Sequence, residues 1–325
     1  MYIPDIFNIT QKEDFNEAAL LAFQNQYDYN EVYHKYCVHL QIKRDDVISV
    51  RDIPYLPIAF FKYRDILFAN KKAATVLTSS GTSGDVQSKH HVADIWLYKN
   101  SFRKSFQLNY GDIREYTILA LLPSYLERSD SSLVYMADQW IQSSKNKDSG
   151  FHLDDLPALR EKLKALDAAG RKVLLLGVSF ALLDLAEIFD GTLNNTIIME
   201  TGGMKGRRKE IVRQELHDIL KKGFGVKNIH SEYGMTELLS QAYSKRDGIF
   251  STPPWMQVSI RDSEDPFSTV ATGKTGGINI IDLANWYSCP FVATDDLGRK
   301  DEDGNFEVLG RFDTANVRGC NLMVV

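Results

Sequence analysis

The stretch "ATVLTSSGTSGDVQSKH", Ala74 to His90, joins an apolar, β-branched run to seven small residues, Thr78 to Gly84, followed by Ser88, Lys89 and two histidines. β-Branched residues suit strands, whereas glycine and hydroxyl residues offer almost nothing to a core. The stretch therefore reads as a strand opening into a loop of backbone N–H groups and hydroxyls. Such a loop can wrap phosphate oxygens with Thr78, Ser79, Ser80, Gly81, Thr82, Ser83 and Gly84, and Lys89 adds a charge. The G-x-x-x-x-G-K-[ST] spacing of a Walker loop is absent. A surface turn fits the same composition. The buried strand before the loop favours a ligand, because α/β sheets bind ligands at the carboxyl ends of their strands.

Working outward, the chain alternates helical and strand patterns. "DFNEAALLAFQNQYDYNEVYHKYCVHL" repeats apolar residues at helical spacing, and "IPYLPIAFFK" reads as extended because of Pro54 and Pro57. Val92, Ile95, Trp96, Phe102 and Phe106 form a helical stripe after the loop, and "YTILALLP" is a second buried strand. "LPALREKLKALDAAG" is a helix closed by Gly170, "RKVLLLGV" a strand, "FALLDLAEIF" a helix and "NTIIMETGG" a strand. "RRKEIVRQELHDILKKGFG" reads as an amphipathic helix with Ile211, Leu216, Ile219 and Leu220 on its apolar side, ended by Gly223. "VKNIHSEYG" is a short strand meeting a turn. Strand–helix–strand alternation with polar loops after the strands is the signature of an α/β sheet. Beyond Ser251, "QVSIRD", "GGINIID" and "NFEVLG" are short strands of a smaller β-rich portion, about residues 251–310.

Composition narrows the function classes. The 325 residues are 44% hydrophobic and 25% charged, ordinary for a globular enzyme. A net charge of −5 argues against a nucleic-acid binder that works through bulk charge. The start has no basic-then-apolar signal pattern, and "VLLLGVSFALLDLAEIF" is too short and too charged to span a bilayer. No integral membrane association is expected. Cys37, Cys289 and Cys320 are odd in number and far apart, which suggests free thiols in a cytoplasmic, reducing compartment.

Four further loops follow strands. "METGGMKG" carries Gly202 and Gly203, which let a flat ligand approach the backbone; a strand-to-helix turn explains them as well. "SEYGMTE" offers Tyr233 for stacking, Gly234 for a tight turn, the Thr236 hydroxyl and the Glu237 carboxylate, which suits Mg2+; Thr236 and Glu237 also fit a helix N-cap. "FVATDDLGR" places Asp295 and Asp296 where sugar hydroxyls can bind, or in a plain β-turn. "LGRFDTANVRGCNLMVV" puts Arg311 and Asp313 after a strand.

The order "TSSGTSG", "TGG", "YGMTE", "TDDLGR", "GRFD" resembles the adenylate-forming superfamily, over about Thr75 to Asp313. "GRFDTANVRGCNLM" is similar to the phenylacetate–CoA ligases. "IPYLPIAFFK", "LPSYLERSDSSLVYM", "ETGGMKGRRKE" and a cysteine near the C-terminus look more like the LuxE-type acyl-protein synthetases.

The resemblance implies an α/β fold: an adenylate-forming domain over 1–313, a short tail over 314–325, and little of the relatives' mobile C-terminal domain. It implies ATP and Mg2+ as cofactors and a carboxylic acid, here a fatty acid, as substrate. Thr78 to Gly84 would hold the β- and γ-phosphates, Gly202 and Gly203 would border adenine, and Tyr233 would stack on it. Thr236 would touch the α-phosphate, Glu237 would hold Mg2+, and Asp296 with Arg311 would bind the ribose. Asp313 falls at the hinge. Relatives use a lysine from the mobile domain for adenylation; Lys89 or Lys205 would substitute, or a partner would supply the charge. Cys320, beside Arg318 and Gly319 on a terminal tail, would take the acyl group as a thioester and pass it to an acceptor protein, a reductase subunit or a carrier; as a plain buried cysteine it would do neither. The alternatives are a small acyl- or aryl-CoA ligase using coenzyme A, and a nucleotide-binding scaffold subunit without turnover.

Overall fold

Two six-stranded sheets and a hairpin, with helices packed around them, make up the computed structural model, which describes residues 3–79, 86–122, 130–153, 155–202 and 211–312. The chain enters through α1 (Lys12–Tyr29) and α2 (Glu31–His39). These were expected as one helical pattern; they separate at Asn30, whose side chain caps α2 by accepting from Tyr33 N at 3.2 Å. The cap residue needs extended backbone, so the helix cannot run through it. "IPYLPIAFFK" is extended only over β1 (Leu56–Pro57) and then turns into α3 (Phe60–Tyr63).

Next comes an antiparallel hairpin, β2 (Thr75–Thr78) with β3 (Lys89–Val92). Val92 thus belongs to a strand and not to the helical stripe, which begins with α4 (Ile95–Tyr110); Trp96 on that helix is exposed.

The first large sheet has the order β5–β4–β6–β7–β8–β9. β4 (Thr117–Leu121), β5 (Gly150–His152), β6 (Val173–Val178), β7 (Thr196–Thr201) and β8 (His230–Tyr233) are parallel, and β9 (Ala242–Ser244) closes the edge antiparallel. Four helices connect the parallel strands: α5 (Ser132–Ser144), α6 (Leu156–Ala168), α7 (Ser179–Ile188) and α8 (Arg213–Phe224). β4 and β6 are buried along their whole length, which is why they read as continuous apolar runs. Each fully buried Leu, Ile or Val there contributes about 1.5–3 kcal/mol. Gly170 lies just past α6 with φ +69°, as expected of a C-terminal glycine. α8 ends at Gly225 (φ +64°) and not at Gly223, and Ile219 is exposed on it.

The second sheet is the β-rich portion. Its order is β10 (Ile249–Phe250), β14 (Phe306–Arg311), β13 (Phe291–Lys300), β12 (Thr275–Asp282) and β11 (Met256–Arg261), all antiparallel, with β1 pairing parallel to the first half of β13. At Leu297 and Gly298 the register shifts, because Leu309 of β14 is left unpaired between Gly310 and Val308. A Cβ on Gly298 would lie 2.4 Å from the Glu307 carbonyl oxygen, so only glycine fits there.

The N-terminal helices brace this sheet from below. Gln26 Nε2 donates to Trp286 O at 2.8 Å, and Asn30 Nδ2 donates to Ser288 O at 2.8 Å. Both amides are buried, so each bond replaces one the group would otherwise make to water.

Candidate active site

The carboxyl ends of β4, β7 and β8 point to one end of the parallel sheet. The β2–β3 hairpin is tied there: Thr78 N donates to Asp130 O at 2.9 Å, and the Thr78 hydroxyl bonds the Asp130 carboxylate. Across the hairpin, Ser79 N donates to Ser88 O at 3.0 Å and Ser88 N donates to Ser79 Oγ at 2.9 Å. The two strands are thus clamped where the glycine loop begins. Ser80, Gly81, Thr82, Ser83 and Gly84 lie outside the described residues, as do Gly203, Lys205, Asp313 and Cys320. Lys89 starts β3, exposed and in register with Thr78. Gly202 follows β7 with φ +69°, and its carbonyl accepts from Ser179 Oγ at 2.8 Å.

Tyr233 is the last residue of β8, only 7% exposed. Its hydroxyl donates to Asp296 Oδ2 at 2.7 Å, which links the parallel sheet to the β-rich one. Burial first, and the Asp296 carboxylate second, hold the phenol well above its usual pKa. The ring packs against Phe250 and Phe306 at centroid distances of 5.8 and 5.4 Å. Arg311, the last residue of β14, lies opposite Asp296 in register and donates through Nε to Asp296 Oδ1 at 3.1 Å. The carboxylate is 8% exposed and the guanidinium 78% exposed, so the pair faces solvent through the arginine. Neither of the two aspartates sits in a turn: both lie within β13, where its register against β12 shifts, with Asp295 exposed and Asp296 buried. Strand alternation alone requires one in and one out.

Thr236 and Glu237 lie in the turn between β8 and β9, and no helix follows, so the N-cap alternative does not hold. Both are buried. His90 Nδ1 meets the Thr236 carbonyl at 2.7 Å, and Asn285 Nδ2 donates to the Glu237 carbonyl at 2.7 Å. Asp282 accepts from Leu239 N, Ser240 N and Ser240 Oγ at 2.8, 2.9 and 2.5 Å. Burial raises the Glu237 carboxyl, against the Ser88 hydroxyl and the cations Arg311 and Lys62.

Three groups here have no counterpart in the sequence reading. Lys62, exposed on α3, is a cation on the Glu237 side. Arg261 lies under the aspartates, donating to Ile278 O, Asn279 Oδ1 and Thr294 O at 2.9, 2.9 and 2.6 Å. A Cβ on Gly277 would come 2.4 Å from its Cζ, so glycine there makes the space. Glu232, beside Tyr233, is fully buried and pushed up to about 7, by burial first and also by Glu200, against the Thr201 hydroxyl that it accepts at 2.5 Å. "SEYGMTE" displays Glu232 openly, but only the β7–β8 register reveals its burial.

The sequence profile of the acyl-protein synthetase family LuxE matches residues 4–103 and 158–325. No curated protein matches. Solved structures of adenylate-forming enzymes do. A 2-hydroxyisobutyryl-CoA ligase in its postadenylation state superposes with a TM-score of 0.67 at 12% identity, covering 96% of this chain and 72% of that one. ATP-bound MatB from Rhodopseudomonas palustris gives 0.55 at 15% identity, over 74% and 48%, so the chain spans about half the length of MatB. A luciferase-like enzyme from the mealworm Zophobas morio gives 0.51 at 14% identity, over 74% and 58%. At these identities the likeness is one of fold: an adenylate-forming domain. The family match covers most of the chain, and the protein belongs to the LuxE acyl-protein synthetases. Among the described residues, no helix is long and apolar enough to cross a membrane.

Proposed function

We propose that the protein uses ATP to activate a carboxylic acid, a fatty acid in this reading, as an acyl-adenylate, and then passes the acyl group to a thiol. The observation that carries this is the convergence of Tyr233, Asp296, Arg311 and buried Glu237 at the strand ends of an adenylate-forming fold. In this reading residues 1–313 form the adenylating domain, with a β-rich subdomain at about 251–310, and 314–325 is a tail.

A carboxylate oxygen attacks the α-phosphorus of ATP, and the bond to the bridging oxygen breaks as pyrophosphate leaves with the electron pair. The chain contributes position and charge. Asp296 accepts from the ribose hydroxyls, exchanging the bond it now receives from Tyr233. Arg311 donates to that carboxylate and orients it. Thr236 donates to the α-phosphate. Lys62 joins Lys89 and Lys205 as a cation to balance the leaving charge.

Glu237 suits Mg2+: it is a buried carboxylate at the carboxyl end of the parallel sheet. A single protein carboxylate with phosphate and water completing the shell is the ordinary arrangement for Mg2+. When bound, the ion neutralises phosphate charge.

In the second step a thiolate attacks the acyl carbon and AMP leaves. We assign the thiol to Cys320. Cys37 and Cys289 are buried, and burial pushes Cys37 up to about 12 and Cys289 upward too, so both are poor nucleophiles. From Cys320 the acyl group passes to an acceptor protein in the cytoplasm. Coenzyme A is the second reading, favoured by the fold shared with a CoA ligase. Intact-mass analysis after incubation with ATP, Mg2+ and a panel of fatty acids tests the assignment. The expected result is a hydroxylamine-labile adduct mapping to Cys320 and absent from Cys320→Ser. Acyl-CoA as the only thioester, with wild-type Cys320 never acylated, would support the second reading.

A further inference from the structure

Behind the turn that carries Thr236 and Glu237 lies a cavity of about 10 Å³, lined among others by His90, Asn285, Ser288, Leu97 and Leu239. Four polar atoms on its lining residues have no protein partner among the described residues: His90 Nε2, His91 Nδ1, Asn285 Oδ1 and Ser288 Oγ. His90, Asn285 and Ser288 are at least 97% buried. An unpaired buried polar atom costs about 1–3 kcal/mol, so three around one small cavity call for a common partner.

The existing bonds fix what that partner must be. His90 Nδ1 points at the Thr236 carbonyl, so this nitrogen carries the proton and Nε2 is a lone pair. Burial holds the imidazole uncharged, lowering it to about 4. Asn285 uses Nδ2 to donate to the Glu237 carbonyl, which leaves Oδ1 as an acceptor. Ser288 has a hydroxyl that can donate. The occupant must therefore donate twice and accept once, and it must be the size of one water, for which a cavity of about 10–15 Å³ suffices. His91 also lines the cavity, but its side chain is 16% exposed and anchored by Nε2 toward Asp65 at 3.6 Å, so the occupant is defined by the three residues that are almost wholly buried.

We infer that one bound water, held by His90, Asn285 and Ser288, is a built part of the site and fixes the backbone of Thr236 and Glu237. The same two side chains that hold the water hold those two carbonyls, so the water locks both at once. The wall is itself rigid: Asn30 holds Ser288 O, and Gln26 holds Trp286 O. The N-terminal helices thereby reach the candidate metal ligand through one solvent molecule.

An atomic-resolution crystal structure of the full chain tests this. One spherical density peak within hydrogen-bonding distance of all three atoms is expected. An empty cavity, or a peak that misses any of the three, overturns the inference whatever the protein catalyses. The positioning role, which rests on the proposed function, has its own test. Ser288→Val puts methyl groups where the water sits, and should remove the peak and raise the Mg2+ midpoint of pyrophosphate exchange roughly tenfold, the change one lost hydrogen bond carries. Ser288→Ala, which leaves the space open and removes only the hydroxyl contact, should keep the peak and shift the midpoint less than Ser288→Val. A Val variant that loses the peak with an unchanged midpoint overturns the positioning role. A wild type with no exchange overturns the proposed function and this role with it, leaving the density result to stand alone.

Discussion

Glu232 sits one residue before Tyr233 and carries the sharpest pH signature of the site. Its carboxyl is raised from 4.5 to about 7, chiefly by burial. Between those values the folded protein keeps a proton that the unfolded chain has released. Stability from this group is therefore lost as pH rises through that window, and the full cost is present above it. Glu232→Gln removes the charge, so its melting temperature relative to wild type should rise from pH 5 to pH 8, by the equivalent of about 1–3 kcal/mol. Thermal unfolding at both pH values checks this; an equal difference at both would contradict the assignment. Asp296 makes a second residue-scale prediction. In the proposed reaction it reads the ribose, so wild type should prefer ATP to 2′-deoxy-ATP by roughly 10- to 100-fold, the worth of one or two charge-assisted hydrogen bonds. Asp296→Ala should lose that preference and Asp295→Ala should keep it. The reverse pattern would exchange their roles. At this scale the sequence showed the pair but not the choice. Period-two alternation puts one aspartate in and one out, and the selection comes from pairing with β14 opposite Arg311, an interaction between residues 15 apart.

Among the elements, the turn from β8 to β9 does the most to build the site. Gly234 has no room for a side chain: a Cβ would lie 2.4 Å from Glu232 Oε1, and that carboxyl is held by Thr201. Gly234→Ala should destabilise by about 1–3 kcal/mol through overpacking. In a Glu232→Ala background the cost should shrink by more than half, read as non-additivity in urea unfolding; simple additivity would show that the clash is not with Glu232. The parallel strands and their following loops were legible in the sequence, because strands buried on both faces leave unbroken apolar runs such as "VLLLGV". The β2–β3 hairpin was legible only by half: "SKHHV" has one clear apolar residue, and its pairing depends on the Ser79–Ser88 clamp across the loop. α3 was lost behind two prolines, and with it Lys62. Arg261, and Asn30 in its bond to Ser288, act on partners more than ten residues away in sequence, so no local pattern announces those contacts.

For the whole molecule, several hydrogen bonds join the two sheets, Tyr233 to Asp296 and the Tyr243–Ser251 backbone pair among them, with the N-terminal helices bracing the segment after β12. In the proposed function this assembly makes an acyl-adenylate. The most direct measurement is carboxylate-dependent exchange of labelled pyrophosphate into ATP by the purified chain, run beside Glu237→Gln. The expected result is exchange in wild type that depends on both Mg2+ and a fatty acid, and a fall of at least about a hundredfold in the variant with its fold intact, since a transition-state charge contact is lost. No exchange with any carboxylate, or equal exchange in Glu237→Gln at limiting Mg2+, would contradict it.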